Sequence, residues 1–165
     1  MRRVVSIIGK SDVEVAKVAD RVILDADDRQ RRRIVLAGEK GTQVLLDLEK
    51  PAALRDGDGL LLDDGSIVQV AGQAERLLEI TPSSPRDFVR LAWHLGNRHT
   101  DVQIADGRIR IRYDHVLEDM LRGLGATVTP LDAAFDPEAG APQDGHARHH
   151  EHGHAHHHHG HGHET

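Results

Sequence analysis

Ser84-Pro85-Arg86-Asp87-Phe88-Val89-Arg90-Leu91-Ala92-Trp93-His94-Leu95-Gly96-Asn97-Arg98-His99 is the first stretch of the chain with helical periodicity. Phe88, Leu91, Ala92 and Leu95 recur at the spacing that gathers side chains on one helix face. Pro82-Ser83-Ser84-Pro85 stops the preceding strand and supplies an N-cap, with Pro85 suited to the first helical position. Gly96-Asn97 is expected to end the helix, since both residues tolerate the left-handed conformation used just past a helix C-terminus. Everything before this segment reads as strand and everything after it as strand alternating with helix, so this helix decides the fold.

Immediately upstream, Ala74–Thr81 reads as a strand carrying Leu77, Leu78 and Ile80. Downstream, Val102–Ala105 and Arg108–Arg112 are strands joined by Asp106-Gly107, a two-residue hairpin turn. Asp114 can cap a second helix with a stripe of Val116, Leu117, Met120, Leu121 and Leu124, ended by Gly125. Ala126–Leu131 is the closing strand, running on irregularly towards Phe135. The order βαββαβ is the ferredoxin-like arrangement, with both helices on one face of a four-stranded antiparallel sheet.

Residues 4–73 read differently. Val4–Ile8, Arg21–Leu24, Arg32–Leu36, Gln43–Asp47, Gly59–Leu62 and Ile67–Val70 are short apolar runs separated by Gly38-Glu39-Lys40-Gly41, Asp56-Gly57-Asp58-Gly59 and Asp63-Asp64-Gly65. Such spacing without helical periodicity predicts a small β domain. The fold class is therefore α+β: an N-terminal small all-β domain over 1–73, a ferredoxin-like domain over 74–140, and a disordered tail over 141–165, where core residues run out and His, Gly, Ala and Glu take over.

Composition narrows the chemistry. The chain of 165 residues has one Trp, one Tyr and two Phe, so its core must come from Val, Ile, Leu and Ala. It has no cysteine, which excludes disulfides, thiolate zinc sites and Fe–S clusters. The net charge is −6 with His neutral, and fourteen His make that charge move strongly between about pH 7.5 and 5.5. Arg29-Gln30-Arg31-Arg32-Arg33 reads as a solvated turn and edge strand rather than a nucleic-acid site, because the first domain has no aromatic to stack on bases. Gly9-Lys10-Ser11 resembles the end of a P-loop, but Val4 stands where that motif needs Gly. The N-terminus is a poor signal peptide and no apolar run approaches the ~20 residues needed to cross a bilayer. A cytoplasmic protein without nucleic-acid or membrane partners is expected.

The histidines are distributed unevenly. His94, His99 and His115 fall in the second domain; His146, His149, His150, His152, His154, His156, His157, His158, His159, His161 and His163 fall in the tail. Imidazole suits Ni(II), Zn(II), Cu(II) and Co(II). At four to six donors per ion the tail can hold roughly two or three ions. A purification tag is usually an unbroken run, whereas the longest here is His156–His159, set in varied sequence. Neither a Ser-His-Asp signature nor a His-Glu-x-x-His helix is present, and no enzyme is expected.

Trp93-His94-Leu95-Gly96-Asn97-Arg98-His99, then Gln103-Ile104, then Arg112-Tyr113-Asp114-His115-Val116-Leu117-Glu118-Asp119-Met120-Leu121, then Phe135-Asp136-Pro137-Glu138-Ala139-Gly140-Ala141-Pro142 and a His-rich end resemble the UreE family of urease accessory proteins. The resemblance is close over the second domain and tail. The first domain is similar in size and strand pattern to the family's peptide-binding domain. The resemblance implies a homodimeric nickel metallochaperone that carries Ni(II) as cargo to the dinuclear centre of urease. Its implied partners are the accessory GTPase UreG and the urease apoprotein–accessory complex. The family's nickel-binding His at the dimer interface falls on His99. Its second candidate metal region falls on Asp114 and His115, with Tyr113 where some members carry a further His. Nickel follows from the resemblance; ligand chemistry alone leaves Zn(II) and Cu(II) open, and passive Ni/Zn/Cu storage or detoxification by the tail is the alternative.

Overall fold

The computed structural model describes residues 1–139. The described residues form two domains, mostly β with two helices, each built on one sheet. The first sheet comprises β1 (Arg2–Ile8), β2 (Val18–Leu24), β3 (Arg33–Ala37), β4 (Gln43–Asp47), β5 (Gly59–Leu62) and β6 (Ile67–Gly72), in the order β2-β6-β5-β1-β4-β3. Gly38–Gly41 and Asp63–Gly65 close the antiparallel pairs β3–β4 and β5–β6, as their turn chemistry implies. Asp56–Gly59 does not close a hairpin: β5 pairs with β1 and β6, and Gly57 N–H donates instead to Val70 O at 2.8 Å. Two pairings, β1 with β4 and β2 with β6, are parallel. Val22, Leu36, Val44, Leu46, Leu60, Leu62, Val68 and Val70 form the core, which has no aromatic member.

The sheet curls until the tip of the β3–β4 hairpin reaches β2. Asp20, only 3% exposed, joins them. Its carboxylate accepts from the backbone N–H of Lys40 at 3.0 Å and of Thr42 at 3.1 Å. Burial opposes its ionisation, but hydrogen bonds from Lys40, Arg21 and Thr42 overcome that and lower its pKa to about 2. Gly38 leaves room for this carboxylate: a Cβ there would lie 2.1 Å from Asp20 Oδ2.

The second sheet comprises β7 (Ala74–Thr81), β8 (Gln103–Ala105), β9 (Arg108–Arg112) and β10 (Thr127–Ala134), antiparallel throughout in the order β10-β7-β9-β8. Helix α1 (Pro85–Asn97) precedes β8 and α2 (His115–Gly123) precedes β10. Leu91 and Leu95 of α1 and Leu121 of α2 pack into one cluster with Leu78, Ile80, Ile109, Ile111 and Val128, so both helices cover the same sheet face. Val116, expected in the buried stripe of α2, is 58% exposed, because it lies in the first turn beyond the reach of the sheet. β10 runs regularly to Ala134 rather than fading after Leu131, and Pro130 fits because β10 is an edge strand.

One residue, Gln73, separates β6 from β7, and its N–H donates to Leu24 O at 2.8 Å. Here the domains touch so closely that a Cβ on Gly72 would lie 2.6 Å from that of Ala134. The interface is sealed by Ala26, Leu77 and Phe135. Beside them Arg29, expected in a solvated turn, is 1% exposed. Its guanidinium donates to Leu54 O at 3.1 Å, to Phe135 O and to the Asp136 carboxylate. A buried guanidinium needs partners for its donors and its charge; the chain after β10 supplies a carbonyl and the counter-charge, while Nε has no partner among the described residues. Arg31, Arg32 and Arg33 remain exposed at the β3 edge.

Candidate metal centre

The end of α1 departs from expectation in a specific way. Gly96 and Asn97 belong to the last helical turn, and the left-handed residue is His99, at φ 53°. Thr100 N–H donates to Leu95 O at 3.2 Å and His99 N–H to Gly96 O at 3.1 Å. These two bonds define a Schellman closure with His99 at its left-handed position. Helix α2 ends in the same closure: Ala126 N–H reaches Leu121 O at 3.1 Å, Gly125 N–H reaches Arg122 O at 3.0 Å, and Gly125 has φ 86°. Glycine is the ordinary occupant, because a Cβ is strained in this conformation. The backbone at position 99 therefore asks for Gly, and the chain places an exposed imidazole there.

His94 lies on the last turn of α1, half-buried, with its ring edge-on to Trp93 at 4.9 Å. Trp93 itself is 62% exposed, and Val89, one turn earlier, is 67% exposed. Two large apolar side chains one turn apart thus stand on the outer face of α1.

Asp114 is the N-cap of α2. Its Oδ1 accepts from Val116 N–H at 2.9 Å and Leu117 N–H at 3.1 Å. Both capping bonds fall on this one oxygen. His115 follows as the first residue of α2, exposed, as is Tyr113. The β8–β9 hairpin carries the His99 loop and the Asp114–His115 corner to the same end of the sheet. Its register pairs Gln103 with Arg110. Continued by two residues, that register sets Asp101 opposite Arg112, whose Nη1 and Oδ2 atoms form an ion pair at 3.1 Å.

The chain after β10 ends at this place too. Phe135 to Glu138 cross the sheet face opposite the helices, from the β10 edge to the β8 edge. Asp136 N–H donates to Gln103 Oε1 at 3.0 Å and Glu138 N–H to Val102 O at 2.7 Å. The last described residues thus leave the fold three positions from His99. The tail histidines, His146 to His163, lie outside the described residues.

Among the described residues, no three His, Asp or Glu side chains converge closely enough to hold one metal ion together. His99, His115 and Asp114 share an end of the domain without forming a closed shell. Asp101 and Arg112 were not expected as part of this region. The alternation of Arg108, Arg110 and Arg112 was their available signal, since it puts three guanidinium groups on the open sheet face. Partial burial works against the Arg112 charge, but the Glu75, Asp27 and Asp101 carboxylates overcome it and raise its pKa. None of the helices is long and apolar enough to cross a membrane among the described residues.

Comparison with known proteins agrees with this picture of two units. Residues 4–73 match the family model described as UreE urease accessory protein, N-terminal domain, and residues 75–164 match UreE urease accessory protein, C-terminal domain. The chain is 55% identical over 123 residues to the urease accessory protein UreE of Rhodopseudomonas palustris strain BisB18, covering 74% of this chain and 58% of the relative. It is equally identical over 123 residues to that of Bradyrhizobium sp. strain ORS 278, covering 74% and 59%. The matched region thus spans about three fifths of the length of these two relatives. The protein of the same name from Chelativorans sp. strain BNC1 is 44% identical over 153 residues, with 90% of this chain and 94% of the relative covered. With both halves matched in order, the chain belongs to the UreE family of urease accessory proteins.

Proposed function

We propose that this protein is a nickel metallochaperone: it binds Ni(II) and delivers it to urease while the dinuclear active site is assembled. The observation that carries the reading is His99, an exposed imidazole held at a left-handed helix terminus where Gly125 stands in the other helix. A coordinating side chain gives a reason to hold a non-glycine residue there. The protein acts as a carrier in the cytoplasm, not as a catalyst.

One imidazole does not satisfy Ni(II), which takes four or six donors. In a homodimer docked along the exposed Val89–Trp93 stripe, a two-fold axis pairs His99 with its own copy. His115, Asp114 and the tail histidines are the further donors. The closeness of Glu138 to Val102 supports a tail contribution, since the last described residues lie beside the His99 loop. Zn(II) and Cu(II) share the preference for imidazole and bind the same groups in vitro. The domain division is 1–73, 74–140 and 141–165. The strand order β10-β7-β9-β8 with both helices on one face supports a ferredoxin-like second domain. UreG and the urease apoprotein–accessory complex are the partners in delivery.

The test is urease activation in cells at limiting nickel by wild type, His99→Ala and a chain ending at Gly140. A delivery protein loses more from His99→Ala than from truncation. A storage protein shows the reverse ranking.

A further inference from the structure

One guanidinium, that of Arg112, ties four parts of the molecule together. Its Nη2 meets Asp27 Oδ1 at 3.0 Å, its Nε meets Glu75 Oε1 at 3.2 Å, and its Nη1 meets Asp101 Oδ2 at 3.1 Å. Its carbon lies 5.0 Å from the centre of the Phe135 ring. Asp27 belongs to the first domain and Glu75 to β7. Asp101 lies two residues beyond His99, and Phe135 begins the segment that leaves β10. Three carboxylates face one cation, so without it they would repel one another. A planar fork with separate donors can serve three partners at fixed angles, whereas an ammonium group is a point charge.

We infer that Arg112 is a positioning residue for metal handling at His99. Through Asp101 it anchors the loop that presents the imidazole. Through Phe135 it holds the outgoing chain beside that loop, where Asp136 and Glu138 bond to Gln103 and Val102. The exposed His99 ring has its backbone held on one side by the helix closure, and Asp101 is the anchor on the other. This inference rests on the reading of His99 as a nickel ligand.

Charge and position predict opposite signs for the loss of Arg112. Removing a nearby positive charge alone favours binding of a dication. Releasing the His99 loop weakens it, by about tenfold on the scale of supporting groups around metal ligands.

The experiment titrates Ni(II) into the full chain and its variants against a competing chelator, reading the tightest dissociation constant and the nickel absorption spectrum. Arg112→Gln is expected to weaken the tightest site about tenfold and change its spectrum, with partial recovery in Arg112→Lys. Asp101→Asn keeps the Arg112 links to Asp27 and Glu75. It is expected to match Arg112→Gln, and the double variant to be no worse than either single one. If Arg112→Gln does not fold, as circular dichroism reports, Arg112→Lys decides instead, since it keeps the charge and loses the fork, and weaker binding than wild type is expected of it. Unchanged or tighter binding in the folded variants overturns the inference. His99→Ala separates the two levels: if it leaves the tightest site intact, the ligand reading itself fails. If it weakens that site while Arg112→Gln and Asp101→Asn do not, only the positioning role fails.

Discussion

His99 and Gly125 occupy the same place in the same helix-terminating loop, one at φ 53° and the other at φ 86°. A left-handed L-residue costs roughly 1–2 kcal/mol. Glycine offsets part of that gain by losing about 0.5–1 kcal/mol more chain entropy on folding. His99→Gly is therefore expected to stabilise the fold by about 0.5–1 kcal/mol while weakening nickel binding. Urea unfolding and metal titration of the same sample check both halves. A variant that is less stable than wild type would show that the His99 side chain supports the fold.

Ending the chain at Gly140 is expected to lower the number of Ni(II) ions bound per protein and leave the His99 site in place. Residues 141–165 carry no large apolar side chain with which to join a core, so thermal unfolding should shift little. Native mass spectrometry with and without nickel reads the stoichiometry. Loss of all binding on truncation would place the principal site in the tail.

The Asp20 carboxylate is held below its ordinary value, at about 2. A depressed carboxylate contributes stability above its unfolded pKa and loses it as pH falls through the folded value. Asp20 therefore supports the first domain above about pH 4 and ceases to do so between about pH 4 and 2. Asp20→Asn should flatten the stability-versus-pH curve in that window. Urea midpoints taken at steps of pH measure it.

Gly38→Ala drives a methyl group into the space of the same carboxylate. The expected loss is about 2–3 kcal/mol, the upper part of the range for single substitutions, because a buried hydrogen-bond network is forced apart. Gly65→Ala also introduces strain, since Gly65 has φ 84°, but meets no neighbour within 4 Å and should cost less. Chemical denaturation ranks the two.

Asp136→Asn leaves the buried Arg29 guanidinium without its counter-charge. Removing one partner of a buried pair costs about 3–5 kcal/mol, and the partial exposure of Asp136 lowers the expectation to about 2–3 kcal/mol. Arg29→Met, which removes the charge as well, should cost less than Asp136→Asn. Paired denaturation curves test that order.

How much of this was legible in the sequence follows from the range of the interactions. Local signals sufficed for α1: Ser84 caps it, accepting from Asp87 N–H at 3.1 Å, and Pro85 begins it. Strands β4 and β5 have the bounds that their apolar runs imply. The parallel pairs β1–β4 and β2–β6 were not legible, because strand content does not state which distant strand is the neighbour. Arg29 looked solvated because its partner Asp136 lies 107 residues away. The left-handed residue was misplaced because Gly96 and Asn97 are better formers of that conformation than His99, yet the Leu95 and Gly96 carbonyls are closed from further along the chain. For the candidate site, the residues could be named from their motif, but not their company: Asp101, Arg112 and Phe135 meet only once the sheet has formed.

The single-residue connection at Gln73 has a mechanical meaning. With Gln73 bonded to Leu24 and the Arg29–Asp136 pair beside Gly72, the two sheets cannot turn against one another at this joint without disturbing both contacts. A load on one sheet is therefore carried into the other through Gln73 and Arg29.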